Sequence, residues 1–213
     1  MKTITPTLTP TTFFLPADDL RAAFQCISAT SYYLGGVFVE ADKMVATDGH
    51  QLLTIELPDG CHVGTECFTQ GVDAPEGAGF ILSCDATDKA FKAKKASGGD
   101  LWVYGDIETG ILQFVINHGE GGEMSRVGVL EFTRIDGTYP EWRRMVAKGD
   151  GCTNSVCYDP AVLGKLTKAA DVIGKGKGIR LTGGATQGDP IRVDFVASPR
   201  LRGTLMGMRW TGA

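Results

Sequence analysis

The chain has 213 residues and a net charge of −4, with 43% hydrophobic and 22% charged residues. Those proportions belong to a folded globular chain and exclude global disorder and a surface coated in positive charge. They leave room for one large or two small domains, each with its own core.

In chain order, Met1–Pro10 is rich in Thr and Pro and lacks an apolar centre, so it reads as a flexible lead-in and not a secretory signal. No run of about 18 apolar residues occurs anywhere, so no membrane span and no membrane partner are expected. The six cysteines are scattered through a chain that needs no disulfide staples, and they read as reduced thiols of a soluble cytoplasmic protein.

The strand Thr12–Leu15 leads into a helix over Pro16–Ser28. There Leu20, Phe24 and Ile27 share a face, and Asp18 and Asp19 fill the first turn. Strands follow at Gly36–Glu40, Met44–Thr47 and Gln51–Leu57. The same order then recurs. Phe80–Ser83 precedes a helix over Asp85–Ser97, capped by Asp85 and stopped by Gly98 and Gly99, with strands at Leu101–Tyr104, Ile111–Ile116 and Val127–Thr133. A third round begins with Ser155–Tyr158 and a helix over Asp159–Ile173. That helix has Asp159 as N-cap, Pro160 at its first position and Gly174 closing it. The third set of strands is Gly178–Thr182, Ile191–Val196 and Gly203–Trp210.

Helix starts about 70 residues apart indicate repeated units. One helix covers only part of a three- or four-stranded sheet, so each unit needs a neighbour to complete a core. Lys148–Cys152 breaks the pattern. The expected organisation is therefore a flexible 1–10, a complete two-repeat domain over 11–148, and half a domain over 152–213.

Three segments resemble the β subunit of bacterial DNA polymerase III, the DNA sliding-clamp family. Tyr32-Tyr33-Leu34-Gly35-Gly36-Val37, leading into Val45-Ala46-Thr47-Asp48-Gly49-His50-Gln51-Leu52, is similar to that family's YYLNG and VATDGHRLA segments. Ile135-Asp136-Gly137-Thr138-Tyr139-Pro140-Glu141-Trp142-Arg143-Arg144-Met145 is similar to its DGxFPDYRRV. Leu205-Met206-Gly207-Met208-Arg209-Trp210 is similar to its VMPMRL. The likeness covers the family's middle domain and the second half of its last one.

The resemblance implies an α+β DNA-clamp fold, strand–helix–strands repeats with antiparallel sheets outside and helices lining the inner face. It implies a non-enzymatic processivity factor without cofactor, which encircles duplex DNA regardless of sequence and holds the clamp-binding peptides of DNA polymerase and clamp loader. The peptide pocket carried over is Leu34, Thr47, Gly49, His50, Gln51, Leu52, Pro140, Arg143, Arg144, Met145, Thr204, Leu205, Met206, Gly207, Met208 and Arg209. Met and Leu give such a pocket an adaptable apolar lining, and Arg144 and Arg209 suit peptide oxygens at its rim. Two departures stand out: Gln51 replaces the family's Arg after His, and Gly207 replaces its Pro between the two Met residues.

A clamp holds DNA through cations facing phosphates. Lys89, Lys92, Lys94 and Lys95 lie on the second expected helix, Lys165 and Lys168 on the third, with Lys175 and Lys177 after it. Arg21 is the lone cation of the first helix, and the resemblance adds Tyr32 and Tyr33 to the DNA-facing set. Clamp rings in this family and its eukaryotic relatives are built from twelve such repeats, so four chains of three repeats would complete a homo-tetrameric ring, with a dimer whose half-domains pair, or a monomer, as the alternatives. The alternative is a clamp-derived peptide-binding decoy or regulator that does not encircle DNA. A shortened relative of this kind would suit a phage or prophage gene.

Other signals are weaker. Cys61, His62 and Cys67 lack a fourth ligand at metal spacing, and Gly174–Gly178 lacks the Gly-Lys-Ser/Thr ending of a phosphate loop. His50 beside Asp48 sits in a turn between strands and reads as structural or ligand-contacting rather than catalytic.

Overall fold

The computed structural model describes residues 2–68, 78–87, 89–91, 100–117, 124–147, 158–174, 178–183, 186 and 188–208. In chain order the elements are β1 (Lys2–Ile4), β2 (Thr12–Pro16), α1 (Ala17–Ala23), β3 (Val37–Glu40), β4 (Lys43–Thr47) and β5 (Gln51–Glu56). Next come β6 (His62–Val63), β7 (Gly79–Cys84), β8 (Asp100–Asp106), β9 (Ile111–Asn117) and β10 (Met124–Ile135). α2 (Pro160–Gly174), β11 (Ile179–Thr182), β12 (Ile191–Phe195) and β13 (Leu201–Leu205) complete the chain.

Hydrogen bonding links the described strands in the order β11-β12-β13-β5-β4-β3-β7-β10-β9-β8-β2-β6, with β1 attached to β10. Every pairing is antiparallel. Repeats one and two exchange their leading strands. β2 of the first pairs with β8 of the second, and β7 of the second pairs with β3 of the first. That exchange follows from the repeat design, since each sheet alone lacks a strand over its core.

The exchanged strands meet in one aromatic cluster. The ring of Phe13 lies 5.2 Å from that of Phe80 and 5.5 Å from that of Phe132, and all three are buried. Gly105 on β8 is required opposite them, because a Cβ there would sit 2.1 Å from the Phe13 ring.

The third repeat joins the first. β13 pairs with β5 from Leu201↔Ile55 to Leu205↔Gln51, and α2 packs on α1. Buried alanines, Ala22 and Ala23 on one helix and Ala169 and Ala170 on the other, allow close approach. Arg200 reinforces the junction: its guanidinium donates to Asp19 Oδ2 at 2.8 Å and to the Glu56 carbonyl at 2.7 Å.

Several expectations shift. The first helix is shorter than Pro16–Ser28, giving way at Phe24–Cys26 to a 3₁₀ turn. Of the second, residues 85–87 form a turn in which Asp85 Oδ1 accepts from the Thr87 amide at 2.9 Å, residues 89–91 form a 3₁₀ turn, and residues 88 and 92–97 lie outside the described residues. The third runs Pro160–Gly174, with Asp159 Oδ1 accepting from the Ala161 amide at 2.8 Å as a helix-starting cap does. The lead-in 1–10 is not wholly flexible. Lys2–Ile4 forms a strand, and the Thr7 carbonyl accepts from the Tyr104 hydroxyl at 2.8 Å. Its composition hid this, because a short edge strand needs only backbone groups to pair. The boundary at Lys148–Cys152 and residues 155–157 of the expected third leading strand lie outside the described residues.

Candidate functional site

The site is built on the tight turn between β4 and β5. Gly49 takes φ +92°, a conformation that costs a side-chain-bearing residue. Asp48 organises the turn: Oδ1 accepts from the His50 amide at 2.9 Å and the Gln51 amide at 3.1 Å, and Oδ2 from Gln51 Nε2 at 3.3 Å. The Thr47 hydroxyl donates to the Gln51 carbonyl and accepts from the Gly49 amide. Lys165 of α2 reaches across to Asp48 Oδ2 at 2.5 Å. Burial opposes ionisation of Asp48, but Lys165 and the His50 and Gln51 amides outweigh it and hold the carboxyl below its ordinary value.

Both other segments meet β4 and β5, the last strand at this turn and the 135–145 segment by packing Tyr139 and Trp142 with Val45 and Leu52. The Met206 amide donates to the His50 carbonyl at 2.9 Å, which carries the last strand directly onto the Asp-Gly-His turn. The Ala147 amide donates to the Thr204 hydroxyl at 3.4 Å. The three segments quoted above therefore converge.

Their side chains divide between the two faces of the sheet, because neighbouring strand residues point opposite ways. On one face Leu52 is buried with Phe38, Val45, Tyr139 and Trp142, and Leu34 and Met145 pack against them. On the other, Leu205 belongs to the main core with α2. There a cleft of about 300 Å³ opens between His50, Leu205, Met206, Gly207 and Met208 and the start of α2 at Tyr158, Asp159 and Val162. Tyr158, Asp159 and Val162 are absent from the set read off the sequence. No local signal marks them, because only the packing of α2 beside β13 brings them here.

Within the expected set, exposure separates lining from support. His50, Pro140, Arg144, Met206 and Met208 are exposed, with Met208 at 51%. Thr47, Gln51, Leu52, Thr204 and Leu205 are buried and back the wall rather than face solvent. Arg143 is committed elsewhere: its guanidinium grips Glu40 at 2.9 and 3.1 Å and lies 4.4 Å over the Trp142 ring. Trp142 Nε1 donates to the same buried carboxylate at 3.1 Å. Glu40→Gln is expected to cost about 1–3 kcal/mol by weakening three charge-assisted bonds, read as a lower urea midpoint at unchanged slope.

Gly207 has a physical reason. A Cβ at this position would meet the Asp189 carbonyl oxygen at 2.4 Å, so the 188–189 turn occupies the space a proline ring would need. Arg209 lies outside the described residues.

The DNA-facing candidates are only partly described. Tyr32 and Tyr33 are 64% and 48% exposed and meet edge to face at 5.3 Å. The Tyr33 ring rests on Gly137, where a Cβ would lie 2.2 Å away, which couples this pair to the 136–147 segment. Lys89 and Lys168 are exposed. Lys165 is engaged with Asp48, and Arg21 donates to the Phe91 carbonyl at 3.0 Å. Lys92, Lys94, Lys95, Lys175 and Lys177 lie outside the described residues.

Among the described residues no three His, Cys, Asp or Glu side chains gather as a metal site. Burial first of all pushes the Cys61 thiol up to about 12 and that of Cys67 up to about 11, so both stay protonated. The described cysteines, Cys26, Cys61, Cys67 and Cys84, are free thiols. No described helix is long and apolar enough to cross a membrane.

No family model matches the chain, and no curated protein matches it by sequence. Solved structures do match its fold. A DnaN sliding clamp, DNA polymerase III subunit beta, from Bartonella birtlesii bound to griselimycin aligns with 96% of this chain and 68% of its own, at TM-score 0.56 and 17% identity. A DNA polymerase sliding clamp from Pseudomonas aeruginosa aligns with 99% of this chain and 69% of its own, at TM-score 0.56 and 12% identity. The pol III beta of Caulobacter crescentus aligns with 94% of this chain and 66% of its own, at TM-score 0.54 and 13% identity. The fold is that of the bacterial sliding clamps.

Proposed function

We propose, with the sliding-clamp fold as premise, that this chain is a non-catalytic processivity factor. It holds clamp-binding peptides of replication proteins beside the Asp-Gly-His turn and encircles duplex DNA as an oligomer. One observation carries the reading: the Met206–His50 backbone bond, which joins the last strand to the turn and leaves an apolar cleft walled by exposed methionines. A methionine wall suits several related apolar peptides, since its side chains repack at low cost. Three repeats per chain support a tetramer, which reaches the twelve repeats of clamp rings.

A fluorescent peptide of the clamp-binding class is expected to bind the purified chain, and Met206→Ala with Met208→Ala to weaken that binding about tenfold or more. Unchanged affinity in the double variant, with the fold intact by circular dichroism, would refute the peptide site.

A second reading has its own support. β1 covers part of the β10 edge, where a ring neighbour would continue the sheet. That favours a peptide-binding decoy or regulator that does not encircle DNA. Retention on circular duplex DNA, lost on linearisation, is expected of the ring; a decoy binds peptide equally with or without DNA.

A further inference from the structure

The cleft beside the Asp-Gly-His turn takes its walls from two different repeats. His50 belongs to the first, while Tyr158, Asp159 and Val162, around the start of α2, belong to the third. A groove whose walls are held at one separation binds more tightly than one whose walls drift, because less ordering is left to the ligand. Whatever fixes α2 against the turn therefore fixes the grip.

Apolar packing holds α2 from its middle onward. Leu166, Ala169 and Ala170 are buried, and Leu166 lies so close to Gly203 of β13 that an added Cβ there would come within 3.0 Å of it. Ahead of Leu166 no residue of α2 is buried. Val162 and Leu163 reach only the margin of the core, and a Cβ on Gly164 would meet nothing within 4 Å. The part of the helix that forms the far wall is thus the part that packing secures least.

Lys165 supplies the tie. It lies one helical turn after Val162, on the same side of α2, and its ammonium meets Asp48 Oδ2 at 2.5 Å. Oδ1 of the same carboxylate accepts from the His50 and Gln51 amides at 2.9 and 3.1 Å. The Asp48 side chain, 8% exposed, fastens the near wall through one oxygen and the far wall through the other. Gln51 Nε2 adds a 3.3 Å bond to Oδ2 but no charge, so the cation that answers Asp48 comes from the third repeat.

We propose that Lys165 is a positioning residue for the peptide cleft. Through Asp48 it sets the separation between the start of α2 and the Asp-Gly-His turn, and its ammonium serves the cleft rather than a DNA phosphate. The inference rests on the peptide reading of this cleft.

Peptide titration and amide hydrogen exchange on the full chain test it together. Lys165→Met keeps the aliphatic stem and removes the charge. It is expected to weaken binding of the fluorescent clamp-binding peptide about fivefold. It is also expected to speed exchange of the Leu163 and Gly164 amides about tenfold, with those of Ala169 and Ala170 unchanged. Lys165→Arg, which still reaches the carboxylate, is expected to restore most of both. In an Asp48→Asn chain, Lys165→Met is expected to add nothing further. The proposal is overturned if Lys165→Met, folded by circular dichroism, leaves either readout unchanged, or if its effect persists undiminished in the Asp48→Asn chain. Should Asp48→Asn abolish peptide binding, amide exchange carries the same comparison. A parent chain that binds no peptide removes the peptide reading and this role with it; a parent that binds while the variant binds equally removes the role alone.

Discussion

Phe13→Ala is expected to lower stability by about 3–5 kcal/mol, the range for a large aromatic removed from a closed core. Phe13 is fully buried and touches Phe80 and Phe132, so its loss opens a void where the leading strands of two repeats cross over. Gly105 offers no side chain to fill that void. In a chain of this length the change corresponds to a fall of about 10 °C or more in Tm, measured by calorimetry or circular dichroism. A Phe13→Leu variant, which retains most of the volume, is expected to lose less than half as much. Equal losses in both would show that the cluster depends on the aromatic ring itself and not on the volume it fills.

Asp48→Ala is expected to cost about 2–4 kcal/mol, because it removes bonds from an ionised acceptor to two amides and from Lys165. The Lys165 side chain is 43% exposed, so solvent screens the ion pair and the larger share belongs to the turn. His50 forms part of the cleft wall, so on the proposed function peptide affinity is expected to fall along with stability.

The pH dependence follows from the sign of the shift. The folded carboxyl of Asp48 lies below its ordinary value, so the unfolded chain binds the proton more readily. Its contribution is complete above the ordinary carboxylate value of about 3.9 and is lost as pH falls through the lower folded value. Asp48→Asn is expected to flatten the acid limb of a urea-midpoint profile in that window. A profile parallel to that of the parent chain would assign the acid sensitivity to other carboxylates, such as Asp194, which Arg192 and Arg180 also hold low against the opposing effect of burial.

Much of this was legible in the residues. Alternating apolar runs such as Gln51–Glu56 and the Asp159-Pro160 start of α2 marked their elements to within a residue or two, because pleat and cap chemistry are local. The convergence of Thr47–Leu52 with Leu205–Met208 was legible through the family resemblance alone. Periodicity gave no hint that β13 would lie against β5.

The side-chain assignments were less legible. Arg143 and Arg144 are neighbours of one type, yet one is spent on buried Glu40 and the other is exposed. Lys165 and Lys168 share a helix, and among the described residues only the first meets a carboxylate.

The sequence by itself determined the starts of α1 and α2, the turn at Gly49 and the apolar stock of the core, since each depends on residues within a few positions of one another. Only the tertiary structure decided which edges are filled, which face of the sheet each motif residue serves, and that Lys2–Ile4 lies on β10. Those outcomes depend on backbone groups and charges brought together from distant parts of the chain, and their pairing energies have no counterpart in local composition.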